Sequence, residues 1–71
     1  MINKKILRAM YEQALENYVK ACGKDGSEDG FNRHAELGLL TGFAIALEVK
    51  GMDRINDIER VRKEVYKNES F

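Results

Sequence analysis

Proline and tryptophan are absent from this chain, and cysteine and histidine occur once each. Without proline there is no X–Pro isomerisation and no proline kink, so every chain reversal falls to glycine. A single cysteine, Cys22, excludes an internal disulfide. With a single histidine, His34, it also excludes a Cys/His zinc site within one chain. An excess of either charge is missing as well. The 12 basic and 12 acidic residues cancel, so no global field favours nucleic acid or an anionic membrane. Long apolar runs are lacking too. The longest charge-free stretch, Leu37 to Leu47, makes about 16 Å of helix, where a bilayer needs ~20 apolar residues. No apolar segment of the kind that targets secretion follows Met1 to Lys5, so a cytoplasmic setting with a reduced thiol is expected.

What is present is helical periodicity. The 71 residues suffice for one domain, and a chain of this size buries only about 60% of its unfolded surface. With disulfide and zinc excluded, association with another subunit is the expected extra support. Asn3 is a natural N-cap. After it Leu7, Met10, Tyr11, Ala14, Leu15, Tyr18, Val19 and Cys22 recur at steps of mainly three and four, one face of a helix over about 4–22 that stops at Gly23.

A second helix is expected over about 31–50, with Gly51 at its C-terminal left-handed position and Met52 touching Leu47. This middle helix is the most apolar element and is expected at the centre, its bulky stripe of Leu39, Leu40, Phe43 and Leu47 taking helices 1 and 3. Beside that stripe run small residues, Ala35, Gly38, Gly42 and Ala46. Two glycines inside a helix cost about 1 kcal/mol each against alanine, and the usual compensation is close approach of another helix. The small stripe, with Ile45 and Val49 beside it, is therefore the expected surface for self-association. Asp53 is expected to cap a third helix over about 54–68, with Ile55, Ile58, Val61 and Val65 inward and its many charges in solvent. The ending Asn68 to Phe71 is expected to fray, leaving Phe71 for a partner. The fold class is all-α: an antiparallel three-helix domain, residues 1–71, that forms oligomers.

The loop Gly23 to Gly30 admits two readings. In one, Ser27 caps helix 2, with Glu28 and Asp29 against the positive end of its dipole. In the other, the twelve positions Asp25 to Glu36 resemble an EF-hand calcium loop. Asp25, Ser27, Asp29, the Phe31 carbonyl and Glu36 would be the ligands and Gly30 the turn glycine. Asn32 and Arg33 depart from that pattern, and no second hand exists.

Catalytic constellations are weak. His34 and Glu36 form an H-x-E pair, but zinc deaminases also require cysteine ligands this chain does not have, and residues two apart on a helix face different sides. The line His34, Thr41, Glu48 has ~10 Å between successive members and is no triad. Basic residues of helix 3 alternate with acidic ones, unlike a phosphate-binding face. A non-enzymatic binding protein is expected. The runner-up is an oligomeric sponge for a small ligand such as a signalling nucleotide, held by Tyr11, Tyr18, Arg33 and His34.

The run HAELGLLTGFAIALEVKGM, His34 to Met52, resembles short helical proteins carried by phages and prophages of Gram-positive bacteria. The resemblance covers about the second half of the chain. It implies an accessory protein that acts by binding a host protein or by sequestering a host signalling nucleotide. The neutral charge departs from acidic mimics of DNA.

Overall fold

The computed structural model describes residues 3–24, 26 and 31–67, with Phe31 described in its backbone alone. Among them are three helices and no strand: α1 (Lys4–Cys22), α2 (Phe31–Ala46) and α3 (Gly51–Val65). The expected fraying of Asn68 to Phe71 lies outside the described residues.

The ends of α1 are set by their caps. Asn3 is extended, and its side-chain oxygen accepts the Lys5 amide at 2.7 Å. Gly23 has φ 81°, a region a β-carbon would make costly, and its amide reaches the Lys20 carbonyl at 3.3 Å.

The helix at the centre is α1. It packs against both α2 and α3, which approach each other only sparsely. This corrects the expectation that α2 is the surrounded element. The reason lies in which faces are filled. Tyr11, Ala14, Leu15 and Val19 of α1 are buried against Leu40 and Ala44 of α2 and Val61 of α3, and Cys22 is buried as well. Tyr18, Phe43, Leu47, Val49, Ile58, Val65 and Tyr66 close over this core, half-buried. Arg54 of α3 reaches α2, its Nη1 donating to the Thr41 hydroxyl at 3.2 Å.

The turn between α2 and α3 differs from the expected one. Val49 N–H reaches the Ala44 carbonyl at 2.9 Å and Glu48 N–H the Ile45 carbonyl at 3.0 Å. Those two bonds make a Schellman motif with Glu48 (φ 59°), not Gly51, in the left-handed position. The N-cap of α3 is consequently Lys50, which makes no side-chain cap bond, while Asp53 lies in the first turn. Ending α2 at Ala46 has a packing cause. Had it run on to Lys50, Val49 would stand seven residues beyond Gly42 on the same outward face; the early turn brings it onto the core.

Candidate functional site

The two sides of α2 differ sharply. Leu40 and Ala44 are buried against α1, with Glu36, Phe43 and Leu47 half-buried around them. The opposite side carries Ala35, Gly38, Gly42 and Ala46, all exposed, flanked by Leu39 (56% exposed) and Ile45 (72%). No formal charge interrupts that side between Ala35 and Ala46. A β-carbon built on Gly38 or Gly42 would meet no atom within 4 Å. Among the described residues, the two glycines therefore serve no close approach. Of the residues expected at an interface, Ala35, Gly38, Gly42, Ile45 and Ala46 share this open side. Val49 does not, being half-buried against the core.

The residues expected to hold a small ligand are not presented together. Tyr11 is wholly buried, so its ring offers no stacking face, and its hydroxyl donates to Asp57 Oδ2 at 2.8 Å. Burial, with that hydrogen bond second, pushes its pKa up to about 12. Tyr18 lies half-buried at the edge of the core. Arg33 donates from Nη1 to the Gly26 carbonyl at 3.3 Å, and His34 is exposed on α2 with a partner of its own.

Of the expected calcium ligands, Asp25, Ser27 and Asp29 and the side chain of Phe31 lie outside the described residues. So does the alternative cap by Ser27. Glu36 stands on the sixth residue of α2, in a groove shared with Gln13 and Asn17 of α1. Among the described residues no cluster of three His, Cys, Asp or Glu side chains suits a metal ion. No helix among them is long and apolar enough to cross a membrane. Cys22 is a buried thiol, as its place on α1 predicts.

Sequence reasoning missed the polar clasp between α1 and α3. Arg60 Nη2 donates to both Glu12 carboxylate oxygens, at 2.9 and 3.0 Å, and lies 3.8 Å from Asp57. The hydrogen bond to Glu12 raises the already high pKa of Arg60. Arg8 approaches Glu12 at 3.4 Å and stands over the Tyr11 ring at 5.1 Å. The two bonds that cross between the helices, Tyr11 to Asp57 and Arg60 to Glu12, join residues 46 and 48 positions apart, so no local spacing announces them. A groove of about 520 Å³ beside the clasp is lined by Glu12, Glu16 and Glu64 over Val61 and Val65. Its carboxylates already face Arg60, Lys20 and Lys67 within 4 Å, which leaves a self-neutralised surface.

No family model, curated protein or solved structure matches this chain.

Proposed function

We propose that the chain is a non-enzymatic binding protein of the cytoplasm, an antiparallel three-helix subunit that self-associates through the outward side of α2 and contacts a partner protein as an oligomer. The observation that carries this reading is the exposed, charge-free side of α2 with open space over Gly38 and Gly42. Helix propensity disfavours both glycines by about 1 kcal/mol, and no contact among the described residues offsets that cost. A second α2 laid across them does, because small residues let two backbones approach closely.

Twofold pairing is the commonest arrangement for such subunits and places the same side of both copies face to face. The resemblance to small phage and prophage proteins supplies the setting for this reading, with a host protein as the partner.

The test is cross-linking at the crossing point. Gly38→Cys and Gly42→Cys, oxidised in dilute solution, should yield a covalent species of twice the chain mass, while Glu59→Cys on exposed α3 should not. Cys22 is buried and should stay out of the reaction. Equal cross-linking at all three positions, or at none, contradicts the reading.

A further inference from the structure

The turn between α2 and α3 leaves three residues out of the roles their chemistry suits. Gly51 is the first residue of α3, and its backbone is not left-handed. Among the described residues no atom lies within 4 Å of a β-carbon built on it, so nothing there requires a glycine. Met52 beside it is large, apolar and 68% exposed. Asp53, a good N-cap residue, lies inside the first turn, while the cap itself is Lys50, which makes no side-chain bond. Just before them Glu48 holds a left-handed conformation (φ 59°) that a β-carbon makes costly.

One change of register accounts for all four. A Schellman end combines a left-handed residue with an apolar contact between the next residue and the one five positions before that. The observed end uses Glu48, with Val49 bonded back to Ala44. The same pattern recurs three residues on, with Gly51 as the left-handed residue and Met52 five positions after Leu47. In that register α2 runs to Lys50, Glu48 becomes helical, Met52 gains Leu47, and Asp53 becomes the N-cap of α3. Leu47 keeps its buried side, three residues beyond Ala44. What is lost is the packing of Val49 on the core, since it moves to the outward side, seven residues beyond Gly42.

We propose that this turn is a register switch: the separate subunit holds the Glu48 end, and a second copy on the outward side of α2 selects the Gly51 end. The switch rests on the self-association proposed above and adds its regulation. In the separate subunit an outward Val49 would stand in water, which favours the Glu48 end. Under a second copy Val49 is covered in either register, so the strain at Glu48 and the missing cap decide for Gly51. A partner shifts such an equilibrium only through a contact it makes in one state, and here that contact is Val49 on the added turn of α2. The body of α3 keeps its place, because Asp57 and Arg60, which tie it to α1, lie beyond the rewound residues.

The experiment follows the backbone carbon shifts of Glu48 and Gly51 in the isotope-labelled full chain, with assembly read by sedimentation over the same dilution series. In dilute solution Glu48 should show left-handed shifts, and in the assembled chain helical ones. Gly51→Ala suits the first turn of α3 and is strained in a left-handed position. It should leave the dilute subunit at least as stable, yet raise the dissociation constant about tenfold or more. Asn56→Ala, exposed on the same helix, should leave that constant unchanged. The switch is overturned, with self-association intact, if Glu48 stays left-handed in the assembled chain. It is overturned equally if Gly51→Ala assembles as the wild type does, or if Asn56→Ala loses as much. A wild type that stays a folded monomer at every concentration overturns both readings, and its mass alone identifies that result.

Discussion

Tyr11 sits where the apolar core and the polar clasp meet, and its two ends have different partners. The ring is part of the core, while the hydroxyl is spent on Asp57. Removing only the hydroxyl, in Tyr11→Phe, should cost about 1.5–3 kcal/mol at neutral pH, the usual range for a hydrogen bond to a charged group. The pH dependence is specific. The phenol of the folded chain titrates at about 12, against an ordinary value of 10.0. Between those values the folded state keeps a proton that the unfolded state has lost, so stability falls as pH rises through this window and is fully present below it. Urea unfolding at pH 8 and 11.5 should therefore show the wild type and Tyr11→Phe converging at the higher pH. A gap that stays constant would contradict this assignment. The Arg60–Glu12 pair is a lesser matter despite its two short bonds. Arg60 is 49% exposed, and screening holds such pairs to ~1 kcal/mol or less. Arg60→Ala should change stability by no more than that, and by less in high salt.

At the scale of the helices, what was legible depended on whether a boundary was decided locally. The ends of α1 were legible because Asn3 and Gly23 act through bonds to their own helix. The end of α2 could not. A glycine at Gly51 is the obvious local stop, yet Glu48 takes the left-handed conformation instead, at ~1–2 kcal/mol for a residue with a β-carbon. Burying Val49 offsets that cost, and no window around Glu48 reveals it. The start of α3 was misplaced for the same reason, since the moved turn leaves Lys50 as an N-cap without a capping side chain. Two substitutions test this account. Glu48→Gly should raise stability by about 0.5–1 kcal/mol through relief of the left-handed strain, less the glycine's own entropy. Lys50→Ser should add about 1 kcal/mol by supplying the missing cap. Thermal unfolding reads both, and a lowered midpoint for either would mean that the turn is held by something other than these bonds.

At the scale of the whole molecule, the apolar content of α2 was legible and its direction was not. Periodicity showed a small stripe beside a bulky one, but it did not say which side α1 would take or that Leu39 would stay outside. The choice belongs to α1, whose buried stripe of Tyr11, Leu15 and Val19 selects Leu40 and Ala44 as partners and leaves the glycine side open. That open side is the basis of the proposed assembly, and Gly42→Leu probes it without disturbing the subunit. The added side chain meets no atom of its own chain at the β-carbon, and leucine gains about 0.8 kcal/mol of helix propensity over glycine. Sedimentation equilibrium of the two proteins at micromolar concentration is the most direct test. Self-association through α2 requires a dimer or larger species for the wild type, and for Gly42→Leu a fully helical monomer of equal or greater thermal stability in the subunit. A wild type that sediments as a folded 8.1 kDa monomer, or a Gly42→Leu chain that assembles as the wild type does, would contradict it.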